Sequence, residues 1–167
     1  MLYVVAWPLL AEADDTALRR LRAQYHPREA AMIGPHFTLV FGVPLAEEPR
    51  LQRALDDLAA RPFWFMLDRL VRHDMAPPSR AAYLFAVPAD GEAELTALYE
   101  VLNLAPGPLP FEPHITLGLF DHAAEAEQIA RIVQRQHLPM RGRVEELALL
   151  RRDGDVLETL TSVRLAA

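Results

Sequence analysis

The sequence predicts an α+β fold of two antiparallel-sheet lobes with helices, related by an approximate twofold axis and enclosing a central cleft. Three observations lead there. Short β-branched and aromatic runs alternate with segments of helical periodicity. The order of segments starts again midway, with Tyr83 lying 80 positions after Tyr3 and His114 lying 78 after His36. Finally, Pro-His-x-Thr-Leu occurs twice, at Pro35 to Leu39 and at Pro113 to Leu117. Nearly constant offsets indicate an internal duplication within one bilobal domain, approximately residues 1–74 and 81–167, and two copies are too few for a solenoid.

Each element has its own justification. Tyr3 to Pro8 is rich in β-branched and aromatic residues and ends on proline, the pattern of a short buried strand. The whole run Leu2 to Leu10 is apolar and precedes Ala11-Glu12-Ala13, the outline of a signal-peptide cleavage site. No basic residues lead it and Pro8 interrupts it, so a core strand is the expected reading. Asp14 to Tyr25 carries Leu18, Leu21 and Tyr25 at helical spacing, with Asp14 or Asp15 as cap. Gly34-Pro35 ends the next loop, His36 to Phe41 forms a strand, and Gly42-Val43-Pro44 closes it. Leu51, Leu55 and Leu58 make Glu48 to Ala60 a helix, Phe63 to Val71 reads as a strand, and His73 to Arg80, with Pro77-Pro78, as a loop. The second half repeats the order: strand Tyr83 to Pro88, helix Glu92 to Leu102, a turn at Pro106-Gly107-Pro108, and a motif strand from Pro113 to Leu117. Helix Ala124 to Gln136, with Ile129, Ile132 and Val133 on one face, and strands Arg143 to Leu150 and Val156 to Leu165 around Asp153-Gly154 complete it.

At 167 residues the chain fits one domain and can bury a true core. With 51% apolar and 24% charged residues, it has the composition of globular rather than disordered or fibrous material. A formal net charge of −6 argues against gripping duplex DNA through an extended basic face, and leaves a nucleotide or an RNA terminus as the partner. Cysteine is absent, which removes disulfides, thiolate metal sites and a cysteine nucleophile. No apolar run approaches the roughly 20 residues of a membrane span. A cytoplasmic monomer is expected.

Strand alternation places His36 and Thr38 on one face with Phe37, Leu39 and Phe41 opposite, and likewise His114 and Thr116 against Ile115, Leu117 and Leu119. Brought together, the polar faces would line a pocket with two imidazoles and two hydroxyls, an inventory that suits an anion. The hydroxyls can donate to non-bridging phosphate oxygens. One imidazole can take a proton from water while the other returns one to the departing oxygen. No cofactor is needed, and two histidines alone make no zinc site, which takes three protein ligands, unless a carboxylate such as Glu112 converges on them. A core role for either motif predicts that apolar positions repeat and polar ones drift. Here His and Thr recur while Phe37 changes to Ile115.

Pro35-His36-Phe37-Thr38-Leu39-Val40-Phe41 and Pro113-His114-Ile115-Thr116-Leu117-Gly118 resemble the paired signatures of the 2H phosphoesterase superfamily, which includes the 2′-5′ RNA ligase-like and cyclic phosphodiesterase proteins. The likeness covers nearly the whole chain. It implies a bilobal α+β fold and hydrolysis of a 2′,3′-cyclic phosphate or related phosphodiester without a metal, with His36, Thr38, His114 and Thr116 at the catalytic positions, His114 as base and His36 as acid. RNA ligation and a non-catalytic nucleotide- or RNA-end-binding module are the alternatives. The resemblance also implies an arginine where Leu119 stands, and Arg80, Arg72 or Arg141 are the candidates to replace it. Tyr83 and Phe85 are candidates to stack on a base, as are Tyr3 and Trp7, all four competing with a core role. His26, His73, His122 and His137 have no repeat partner and read as surface or loop residues.

Overall fold

The two motif strands form the outer edges of one sheet. In the computed structural model, which describes residues 1–103 and 110–166, seven strands and five helices follow in the order β1 (Leu2–Leu10), α1 (Glu12–Tyr25), α2 (Pro27–Met32), β2 (Phe37–Val43), α3 (Glu48–Asp56), β3 (Phe63–Asp74), β4 (Ala82–Asp90), α4 (Glu92–Leu102), β5 (Ile115–Phe120), α5 (Ala123–His137), β6 (Met140–Asp153) and β7 (Val156–Arg164). A single 3₁₀ turn, Leu45–Glu47, precedes α3. All described pairings are antiparallel, in the sheet order β2-β1-β6-β3-β4-β5, with β7 on the far part of β6. The expected turn at Pro106-Gly107-Pro108 lies outside the described residues.

Matched by position, β1, β2 and β3 correspond to β4, β5 and β6, and the strand order then reads the same from either edge. The third strands interleave the halves: β3 pairs with β4, β6 pairs with β1, and the two meet where Phe65 faces Gly142. A methyl group at Gly142 would fall 2.5 Å from the Phe65 ring, so the centre of the sheet closes only because that position has no side chain.

One sheet face packs on the helices. Leu2, Val4, Ala6, Phe37, Leu39, Phe65, Leu84, Ala86, Ile115 and Leu117 are buried there with Leu18, Leu51, Leu55 and Leu95. Phe37 meets Phe65 edge to face at 5.2 Å, which ties the first motif strand to the middle of the sheet. A second, smaller cluster of Val5, Ala148 and Leu150, with Tyr3, Trp7, Ile33 and Leu157 packed against it, occupies part of the opposite face.

Several boundaries differ from expectation. Helix α1 starts at Glu12 with no side-chain cap, and Asp14 and Asp15 lie in its first turn, where they favour the helix dipole instead. Helix α2 is only six residues, started by Pro27, and is too short to show periodicity. Helix α3 stops at Asp56, well ahead of Pro62. Strand β3 runs on through His73 to Asp74, because its pairing with β4 continues to Ala82.

Candidate active site

Both motif histidines stand immediately before an edge strand and are held identically. The His36 Nδ1–H donates to the carbonyl of Gly34 at 2.8 Å, and the His114 Nδ1–H to that of Glu112 at 2.7 Å. A carbonyl only accepts, so Nδ1 carries the proton in each ring and Nε2 is left with a lone pair. The intervening residue is a buried proline in both cases, Pro35 and Pro113. Proline holds the residue before it extended, which turns the carbonyls of Gly34 and Glu112 back toward the imidazoles.

Beyond each threonine the strand is irregular at the same place. Thr38 pairs with Val5 and Val40 with Val4, so Leu39 is an extra residue. Thr116 pairs with Phe85 and Gly118 with Leu84, so Leu117 is another. Each bulge reverses the alternation after it. Phe41 therefore lies on the Thr38 side and is 80% exposed, and Leu119 lies opposite Tyr83 on the Thr116 side. The expectation that Phe41 and Leu119 join the core face is corrected accordingly; Phe37, Leu39, Ile115 and Leu117 do lie in the core.

A cleft of about 840 Å³ is lined by His36, Thr38, His114 and Thr116 together. Tyr83 and Phe85 of β4 line it too, half-buried. Phe85 stacks on the His114 ring at 3.8 Å, with Tyr83 and His73 flanking Phe85 at 5.8 and 5.7 Å. On the other side Trp7 meets His36 edge-on at 6.3 Å. Arg80 sits in the exposed loop and is not part of the cleft lining; its carbonyl accepts the Ala123 N–H. Arg72 is engaged by Asp74 and Glu127, and Arg141 lies over the Trp64 ring at 5.2 Å. His26 and His73, expected at the surface or in a loop, both line the cleft: His26 sits at the α1–α2 junction, and His73 is drawn in by the extension of β3.

Tyr99 and Glu112 also line the cleft, as do Arg22, Glu29 and Arg152, three residues the sequence did not single out. Arg22 is 1% exposed and donates to the carbonyl of Thr116 and, at 3.0 Å, to that of Ile33. A signal for it existed: Arg22 falls four residues after Leu18, on the apolar stripe of α1, where a charged residue needs a reason. Glu29 and Arg152 form an ion pair at 3.0 Å. Burial pushes the His36 imidazole down to about 4; its bond to the Gly34 carbonyl opposes this and Arg22 adds to it. Burial also lowers His114, against the bond to the Glu112 carbonyl. Both rings thus favour the neutral form at neutral pH. Among the described residues no three His, Cys, Asp or Glu side chains gather as a metal-binding group.

The sequence profile of the 2′-5′ RNA ligase superfamily matches residues 9–156, which include both motifs. This chain belongs to the 2′-5′ RNA ligase superfamily. Its fold is shared with E. coli LigT, solved with 3′-AMP (20% identity, 99% of this chain and 98% of that one, TM-score 0.62) and with ATP (20% identity, same coverage, TM-score 0.63). Kluyveromyces marxianus Usb1 with uridine monophosphate is more distant (12% identity, 95% and 97% covered, TM-score 0.55). No match was found among the curated proteins. No helix among the described residues is long and apolar enough to cross a membrane.

Proposed function

We propose that this superfamily member is a metal-independent phosphodiesterase that hydrolyses a 2′,3′-cyclic phosphate or a related nucleotide or RNA phosphodiester. One observation carries the reading: two His-Thr pairs line one cleft, with both imidazoles in the same tautomer. His114 takes a proton from water through Nε2 as the water oxygen attacks phosphorus. The P–O bond to the ribose oxygen breaks, and His36 gives that oxygen a proton. Thr38 and Thr116 hydroxyls donate to the non-bridging oxygens, and the Phe85–Tyr83 ladder offers a face to the base. That E. coli LigT was solved with 3′-AMP and Kluyveromyces marxianus Usb1 with uridine monophosphate fits this assignment, and so does the agreement of the repeat offsets with the palindromic strand order. Arg80, out in its loop, has no part in it.

His36 needs a proton to act as acid, and its desolvated ring takes one readily only beside the phosphate anion. The free enzyme therefore has lower histidine pKa values than the complex. Hydrolysis of 2′,3′-cyclic AMP in excess EDTA should show a bell-shaped pH dependence, and the bell in kcat/KM should lie at lower pH than the bell in kcat. His36→Ala and His114→Ala should each reduce turnover by about 100-fold or more. Activity abolished by EDTA and restored by metal, or retained in either alanine variant, would reject the mechanism.

A further inference from the structure

The guanidinium of Arg22 joins the two halves of the site. One N–H holds the carbonyl of Thr116 in the second motif; another holds that of Ile33, the residue before the Gly34 carbonyl that fixes His36. It is nearly inaccessible, its Nε has no partner among the described residues, and no carboxylate among them is in direct ion-pair contact with it, Glu29 acting on it only from a longer distance while bonded to Arg152. The other arginine in the cleft lining, Arg152, is neutralised by Glu29. Burying a cation without a directly bonded counter-ion costs several kcal/mol, so a negative charge brought beside Arg22 would be favoured. In the cleft an anion can take that role. Leu119, on the Thr116 side of the bulge, supplies no charge.

Building on the phosphodiesterase reading, we propose that Arg22 is a positioning residue: it clamps the two motif strands at the separation the two histidines need, and its positive charge, set behind Thr116 without a directly bonded carboxylate, attracts the phosphoryl group of the substrate. Two carbonyls are met at once by the planar fork of arginine and not by the single ammonium of lysine.

Wild type, Arg22→Lys and Arg22→Gln are compared by calorimetric binding of inorganic phosphate, by NMR titration of the His36 ring, and by kcat and KM on 2′,3′-cyclic AMP. Arg22→Gln should weaken phosphate binding about 10-fold or more. It should also raise the His36 titration, since a neighbouring cation is lost. Arg22→Lys keeps the charge and should bind phosphate within about 3-fold of wild type, while kcat falls about 10-fold because the clamp is broken. A folded Arg22→Gln that binds phosphate like wild type, with His36 titrating unchanged, overturns the proposal. So does wild type that does not bind phosphate. Should Arg22→Gln fail to fold, wild type decides: saturating phosphate must shift the Arg22 Nε–H resonance, and an unmoved resonance refutes the charge role. Phosphate binding through Arg22 without turnover of any diester would sink the hydrolase reading and leave the anion site standing.

Discussion

Lowering the pH from 7.5 to 4.5 tests the electrostatics of the cleft without any substrate. In the folded protein burial brings His36 down to about 4, against an ordinary value near 6.5 once the chain unfolds. Between those values the unfolded chain binds a proton that the folded chain refuses. Stability is therefore constant above about pH 7 and falls as pH drops through the window. A difference of roughly 2.5 units at about 1.4 kcal/mol each sets a ceiling of about 3 kcal/mol, and water at the cleft mouth screens part of it, so a loss of about 1–3 kcal/mol is expected. His114, lowered by the same cause, adds in the same direction. The assay is urea unfolding at the two pH values for wild type and His36→Gln, whose neutral side chain does not titrate. Wild type should lose about 1 M more in midpoint than the variant over this range. Saturating phosphate should offset part of the wild-type loss, because an anion stabilises the protonated ring. Equal losses in the two proteins would refute the claim that His36 is desolvated in the resting site.

Two further outcomes follow from the packing around the motifs. A methyl group at Gly118 would come within 2.7 Å of Tyr25 Cβ, where α1 rests on β5, so Gly118→Ala should displace α1 and carry Arg22 with it. Thermal denaturation should show about 1–3 kcal/mol of destabilisation, and kcat should fall by more than melting explains; normal kcat in a destabilised protein would separate α1 from the site. Phe85→Leu removes the ring stacked on His114 while keeping an apolar body, and should raise KM for a nucleotide more than for a substrate with no base, by about 10-fold. An equal rise for both would assign Phe85 to His114 alone.

Much of the site was legible because strand chemistry is periodic. Each motif puts an imidazole and a hydroxyl two residues apart, which fixes them to one face, and the apolar residue between them, Phe37 or Ile115, reaches the core. His73 and Glu29 were less legible, because no local period announces that a strand extension or a six-residue helix will reach the cleft, and Arg22 was marked only by its place on the apolar stripe of α1. The register of a strand is set by its partner: the bulge at Leu39 has no adjacent glycine to mark it, and only Gly118 beside Leu117 hints at the second.

Those bulges explain a spacing that periodicity alone misassigns. In a regular strand the third residue after Thr116 would face the helices, and a charge there would be buried without a partner. The extra residue at Leu117 turns position 119 to the side of Thr116 and Tyr83, so the arginine that the family resemblance implies there would reach toward the cleft rather than the core. In this chain the position holds leucine, 39% exposed beside Tyr83, and a buried guanidinium approaches Thr116 from α1 instead. On the proposal for Arg22, an arginine at 119 would be a second route for placing positive charge at Thr116, from the strand's own face rather than from the helix behind it. Leu119→Arg in an Arg22→Gln background should then recover phosphate binding to within about 10-fold of wild type while leaving kcat low, because the strand arginine restores charge but not the bridge between Thr116 and Ile33. Calorimetry and steady-state kinetics on the double variant separate the two effects. Recovery of kcat along with binding would show that Arg22 acts by charge alone.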